Sequence, residues 1–246
     1  MRTAAVVPAA GRGERLGPGG PKALRLLAGR PLLVHAVQTL GQVVDVVVVA
    51  APPDPGAVDD VTALLAPEVG TAQLVVVAGG ATRQESVRRA LAALPADVAS
   101  VLVHDAARPL APAALARSVL AALEAGAHAV IPALPVTDTV KRVDADEVVV
   151  ETVDRSVLRA VQTPQGFRRV VLEQAHAAPG ADALEATDDA GLVERLGLPV
   201  QVVPGSEEAF KVTRPLDLVL AEAVHAARAA RPASSGRAGD DEAVTA

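Results

Sequence analysis

The sequence of 246 residues contains no cysteine, tryptophan or tyrosine, and its aromatic side chains are Phe167 and Phe210 alone. Without thiols, disulfides, thiolate-held metals and cysteine nucleophiles are excluded together. With so few rings and half the residues apolar, the core has to be built from Val, Leu and Ala, which favours buried parallel strands. No apolar run approaches the length of a membrane span. The opening MRTAAVVPAAG has too short an apolar run, and too early a glycine loop, for a signal peptide, so the cytoplasm is the expected location. A net charge of -6 disfavours broad attraction to nucleic acid or a lipid surface, so any bound anion has to be gripped locally. Lysine is scarce too: Lys22, Lys141 and Lys211 are the three among 23 basic residues. Where arginine serves as the generic cation, each lysine is either a remnant on a solvated face or a compact, mobile ammonium needed at a crowded phosphate.

What is present is a repeating alternation. Thr3 to Pro8 reads as a buried strand, followed by a glycine-rich loop and a helix over Pro31 to Val43. Strands at Asp45 to Ala51, Leu74 to Ala78 and Val101 to His104 are each followed by a helical stretch, at Val58 to Leu65, Thr82 to Leu94 and Pro112 to Glu124. Short strands alternating with longer helices predict right-handed βαβ units: an α/β, Rossmann-like, mostly parallel sheet sandwiched by helices. Ligands of such sheets sit at the carboxyl ends of the strands. Here those ends carry Pro8, Ala9, Ala10 and Gly11, then Gly79 and Gly80, then His104 and Asp105.

The alternation breaks after a strand at Ala129 to Ala133. Val136 to Val153 mixes branched and charged residues around Asp144-Ala145-Asp146 and predicts a protruding β-arm, spanning about 136–156. A half-apolar arm suits either solvent or pairing with a second subunit. Helices at Arg169 to Ala177, Asp188 to Leu196 and Pro215 to Ala229, with a strand at Val200 to Val203, complete one expected domain over 1–230. The small, polar, aperiodic stretch 231–246 predicts a disordered tail, too short for a second catalytic domain.

Gly11 and Gly13 follow the first strand, where main-chain N–H groups can approach phosphate oxygens. Leu16 stands where a dinucleotide fingerprint needs its third glycine, and Lys22 lies between Pro21 and Ala23 rather than before Ser or Thr as in a P-loop. What remains is a loop carrying two cations, Arg15 and Lys22, which suits an anion but also a plain surface loop. Asp105, ending a buried strand, suits either a carboxylate that orients a hard cation or a capping aspartate. His104 has no evident partner, and a histidine-held metal is not expected.

The segments VVPAAGRGERL with PKAL, VAGGATRQESV, VLVHDAARP, PVTDTVK, TVDR, AVQTPQGF, ATDDAGLVE and FKVTRPLDLVLAE occur in this order. Together they resemble the 2-C-methyl-D-erythritol 4-phosphate cytidylyltransferase family of the non-mevalonate isoprenoid pathway, from about Thr3 to His225. The chain departs from that pattern at Ala23, where the family often has Gln, and in the loosening Pro18, Gly19 and Gly20. The resemblance implies transfer of a cytidylyl group from CTP to a sugar-alcohol phosphate, with Mg²⁺ and release of pyrophosphate. It implies that Arg15, Lys22 and Lys211 are catalytic and that Pro8, Ala9, Ala10, Gly11, Gly13, Gly80, Ser86 and Asp105 bind the nucleotide, Asp105 also orienting the metal. Ser86 read alone is also compatible with a helix-surface serine. For the acceptor it implies Arg108, Thr139, Arg155, Thr163 and Thr187, with Thr139 and Arg155 reaching a partner's site in a homodimer. Lys141, in the arm, reads as an exposed strand residue. Two other readings stay open: a ribitol 5-phosphate cytidylyltransferase, and a non-catalytic nucleotide-binding protein of the same fold. The presence of Arg15, Lys22, Asp105 and Lys211 together argues against the second.

Overall fold

The computed structural model describes residues 2–11, 20–178 and 188–230. In chain order its strands are β1 (Arg2–Pro8), β2 (Leu26–Leu27), β3 (Arg30–Pro31), β4 (Val46–Ala51), β5 (Gln73–Ala78), β6 (Val98–Val103), β7 (Ala129–Pro135), β8 (Val140–Val143), β9 (Val149–Val153), β10 (Arg159–Val161), β11 (Gln165–Arg168) and β12 (Val200–Pro204). The helices are α1 (Leu32–Gly41), α2 (Ala57–Leu65), α3 (Arg83–Ala92), α4 (Ala113–Glu124), α5 (Arg169–Ala177), α6 (Asp189–Arg195) and α7 (Pro215–Ala230).

The expected α/β architecture is what forms. One mostly parallel sheet runs β5, β4, β1, β6, β11, β7, with β12 on the far edge of β7. β1 lies at its centre, pairing in parallel with β4 and β6. Every residue of β4 is buried, the pattern of a strand covered on both faces and the reason its sequence reads as one unbroken apolar run. Side chains alternate between the two faces. Ala5 and Val7 of β1 pack with Leu33 and Val37 of α1, Leu65 of α2 and Val119 of α4. Ala4 and Val6 point the other way, into a cluster with Val87 of α3, Leu172 of α5 and Val193 of α6. Both clusters are made of Val, Leu and Ala, joined on the second face by Ile131 and Phe167.

Helix starts follow local chemistry. Thr82 caps α3 by accepting the Glu85 N–H at 3.0 Å, and Asp188 caps α6 by accepting that of Gly191 at 3.0 Å. Pro31 and Pro112 stand immediately before α1 and α4, where a fixed φ and a missing N–H cost the helix nothing.

Two features were not legible as elements. β10 and β11 pair with the same edge of β7 and interrupt the parallel order as one antiparallel strand, broken at 162–164. β11 also pairs antiparallel with β6, so the chain enters it beside the carboxyl end of β6. Gly166 hides the strand pattern: a Cβ there would lie 2.4 Å from Val119 of α4, so the position facing the helix carries no side chain. The short β2–β3 hairpin is the second feature.

The arm is a separate hairpin of β8 and β9. Its turn is held by the Asp144 carboxylate, which accepts the N–H groups of Asp146 and Val148, both at 3.0 Å. Val143, Val148, Val149 and Val150 are all exposed on it. Lys141 donates across the strands to Thr152 Oγ1 at 2.6 Å. Among the described residues no helix is long and apolar enough to cross a membrane.

Candidate active site

The carboxyl ends of β1, β5 and β6 open onto a cavity of about 220 Å³. Pro8, Ala9, Ala10 and Gly11 form one wall as the chain leaves β1, and Lys22 stands beside them. Gly80, Ser86 and Asp105 line it too, and Lys211 reaches in from the segment after β12. That segment is fixed by the Val212 N–H, which donates to the Ala107 carbonyl at 2.8 Å. Thus Lys22 and Lys211 meet at one cavity though nearly the whole chain separates them. Ala23, Ala81, Thr82, Arg83, Ala106 and Ala107 also line it, residues to which the resemblance gives no role. Arg15, Gly13 and Thr187 lie outside the described residues.

The Gly79–Gly80 wall is shaped by contact. A Cβ on Gly79 would lie 2.6 Å from the Ala10 Cβ and 2.7 Å from the Ala51 carbonyl oxygen, so only glycine lets β5 end this close to β1 and β4. Ser86 is 1% exposed, and its hydroxyl accepts the Gly80 N–H at 3.0 Å and donates to the Thr82 carbonyl at 2.9 Å. Its O–H is therefore committed within the loop, leaving an acceptor lone pair for a ligand. From behind, Glu85 accepts the Ala81 N–H at 2.8 Å while Arg89 donates to the Gly79 carbonyl at 2.8 Å. The loop is thus braced at three successive residues. It lies at the N-terminus of α3, where orphan N–H groups and the helix dipole favour an anion.

Asp105 is the charged centre. Lys211 Nζ lies 2.7 Å from its Oδ2, and Arg83 Nε 3.3 Å from its Oδ1. Burial pushes the Asp105 carboxyl upward, but the Arg83 and Lys211 charges outweigh it and hold it well below the usual carboxylate range. The Asp105 backbone is pinned as well, its N–H donating to Thr163 Oγ1 at 3.0 Å. Thr163 Oγ1 also lies 3.0 Å from His104 Nδ1, and His104 Nε2 lies 3.3 Å from the Arg108 carbonyl. One tautomer closes this chain: Thr163 donates to Nδ1, and Nε2–H donates to Arg108. Burial pushes the His104 imidazole down to about 4, so it is neutral at physiological pH.

Thr163 therefore has a structural use besides the one the resemblance implied. It is 4% exposed and joins the strand break beside β6 to the Asp105 main chain. Thr163→Val keeps the shape but strands the Asp105 N–H and one histidine nitrogen. It is expected to lower stability by about 1–3 kcal/mol, read as a reduced urea midpoint at unchanged slope. An unchanged midpoint would remove the bond from the account of how Asp105 is held.

Of the other acceptor candidates, Arg108 lies beside the site with its guanidinium donating to the carbonyls of Ala209 at 2.6 Å and Val161 at 3.2 Å. Burial lowers its pKa against the pull of Asp105. Thr139 and Arg155 do not line the cavity. Both are exposed at the arm, where Arg155 donates to the Thr137 carbonyl. Among the described residues no group of three or more His, Asp or Glu side chains is placed to hold a metal.

A family model described as 2-C-methyl-D-erythritol 4-phosphate cytidylyltransferase matches residues 3–226. A protein of that name from Frankia casuarinae is 60% identical over 225 residues, covering 91% of this chain and 81% of its own length. One from Streptomyces coelicolor is 58% identical over 239 residues, covering 92% and 86%. Among solved structures, the Thermus thermophilus enzyme of that name superposes with a TM-score of 0.74 at 40% identity, covering 91% of this chain and 98% of its own.

Proposed function

Since the chain belongs to the 2-C-methyl-D-erythritol 4-phosphate cytidylyltransferase family, we propose that its cavity joins CTP to 2-C-methyl-D-erythritol 4-phosphate, giving 4-diphosphocytidyl-2-C-methyl-D-erythritol and pyrophosphate. The observation that carries this assignment to the site is the meeting of Lys22, Lys211, Asp105 and Gly80 at one cavity. A phosphate oxygen of the acceptor attacks the α-phosphorus of CTP, the P–O bond to the β-phosphate breaks, and that electron pair leaves on pyrophosphate. The attacking group is already an anion, so no strong general base is needed. Catalysis is then alignment and neutralisation of charge on the phosphates. Lys22 and Lys211 supply cations from two distant segments of the chain, and Arg15 belongs to the same reading.

The nucleotide end follows from the loops. Main-chain groups at Ala9, Ala10 and Gly80, with the remaining lone pair of Ser86, face the space assigned to cytosine, and the closeness of Gly79 to Ala10 and Ala51 keeps it narrow. Asp105 is the carboxylate among the described lining residues. One carboxylate together with triphosphate oxygens is a donor set that fits Mg²⁺, which keeps much of its coordination to water and phosphate. When bound there, Mg²⁺ supplies further neutralisation of the triphosphate. Lys211 lies 2.7 Å from Asp105 Oδ2, and in this reading it turns from that oxygen toward the phosphates as the nucleotide enters.

Thr139 and Arg155, placed on the arm and away from the cavity, suit contact with an acceptor in a second subunit's site. The exposed valines of the arm support a homodimer built through it. The cytoplasm is the location we assign to this reaction.

The acceptor assay tests the reading. Pyrophosphate release from CTP is expected only when 2-C-methyl-D-erythritol 4-phosphate and Mg²⁺ are both supplied. Faster turnover with ribitol 5-phosphate would transfer the assignment to that acceptor, and silence with both would leave a nucleotide-binding protein without this activity.

A further inference from the structure

The cavity holds a cation that this reading does not use. Arg83 opens α3, and its guanidinium bridges two carboxylates: Nε is 3.3 Å from Asp105 Oδ1, and Nη1 is 2.7 Å from Asp189 Oδ2. Asp189 is 1% exposed, and its other oxygen lies 3.0 Å from His176 Nε2, itself buried. The start of α6 is tied down independently: Gln165 of β11 donates to the capping Asp188 at 2.7 Å and accepts the Ala190 N–H at 3.2 Å. Arg83 is thus anchored from behind by a carboxylate that the fold fixes in place.

Lys211 differs. Its side chain is 41% exposed and sits on a flexible stem facing the cavity. Turning the Lys211 ammonium toward a phosphate exchanges one anion for another. Moving Arg83 would strand Asp189 in the interior without its guanidinium, a much larger cost. Of two cations on one carboxylate, one is built in and the other can be traded.

Resting on the cytidylyl-transfer reading of the cavity, we propose that Arg83 is a positioning residue for the reaction. It is the permanent counter-ion of Asp105, held by Asp189 and His176, while Lys211 is the exchangeable one that leaves Asp105 for the incoming phosphates. As the lysine turns, Arg83 keeps the Asp105 carboxylate ionised and aimed.

A residue that acts through another loses its effect when that other is gone. Arg83→Ala is expected to lower kcat by about 100-fold while the dissociation constant for CTP, from equilibrium dialysis, stays within about threefold. In an Asp105→Ala background the same substitution is expected to cost less than about threefold more, because interacting sites are not additive. A full additional loss in that background would mean that Arg83 acts on the phosphates or on the fold, and overturns the proposal. So does a kcat for Arg83→Ala within threefold of the parent. Thermal unfolding shows whether the variant folds. Where it does not, Asp189→Asn takes its place, with about a tenfold loss expected in the parent and none in the Asp105→Ala background. Loss in both backgrounds, or in neither, overturns the assignment. If Asp105→Ala and Lys211→Ala both turn over normally, the reading of the cavity itself fails. If those two are slow and Arg83→Ala is not, only the role of Arg83 falls.

Discussion

Lys211→Ala is expected to lower turnover by about 10²–10³-fold, the range seen when one preorganised donor to a developing charge is removed. In the proposed reading the lysine acts in the transition state rather than in folding. Its side chain is 41% exposed, and its partner Asp105 keeps Arg83 when Lys211 is truncated. The unfolding midpoint should therefore move little, since the ammonium is partly solvated and Arg83 stays beside the more deeply buried Asp105 carboxylate. Affinity for CTP should also change less than turnover. In the empty site the ammonium is already satisfied by a carboxylate, so swapping that partner for a phosphate gains little in the ground state. The gain comes as negative charge accumulates on the phosphates during bond exchange, and only an interaction that strengthens there raises kcat. The comparison to make is kcat against the CTP dissociation constant for the same variant. Turnover within tenfold of the parent would remove Lys211 from the reaction, and equal losses in both quantities would make it a simple anchor for the triphosphate.

Much of this was written in the chain in a form that local physics can read. The strands buried on both faces, β4 and β1 from Ala4 onward, announce themselves as unbroken apolar runs. Scarcity of lysine drew attention to Lys22 and Lys211, and both line the cavity. Lys141, read as an exposed strand residue, is one. The strand β11 was hidden because its glycine faces α4, where no side chain fits, so the alternation that marks a strand is missing. Arg83 was hidden for a different reason. Its partners Asp105 and Asp189 are 22 and 106 residues away, and only the sheet order brings them together. One local signal did exist. A cation in the first turn of a helix opposes the dipole, and an arginine directly after the N-cap Thr82 calls for a carboxylate to hold it there. Thr163 shows the converse limit. Its motif marks it as important, but whether a hydroxyl meets substrate or main chain depends on a strand pairing that residue types do not encode.

Mixing two inactive variants is expected to restore about a quarter of parental turnover, the yield of random pairing in a two-fold dimer whose sites each draw on both subunits. The variants are Lys22→Ala, in the cavity wall, and Arg155→Ala, at the arm. Each alone is expected to lose about 10²-fold or more. In a mixed dimer, the subunit carrying Arg155→Ala keeps its own Lys22 and receives an intact Arg155 from its partner, so one site works. The other site lacks both. Half of all dimers are then mixed, and half of their sites are complete, which gives the quarter. The placement of the residues motivates this test. Lys22 lines the cavity, whereas Arg155 is exposed at the arm and donates to the Thr137 carbonyl. The arm exposes Val143, Val148, Val149 and Val150, apolar surface that an isolated hairpin has no reason to carry and that a second subunit can cover. Subunit exchange is checked by mixing tagged and untagged chains and recovering both on one affinity column. Exchange without recovery of turnover would mean that each site is complete within one chain, and Arg155 would then act on the arm rather than on the acceptor. Recovery well above a quarter would point to an assembly larger than a dimer, with more than one donor arm available to each cavity.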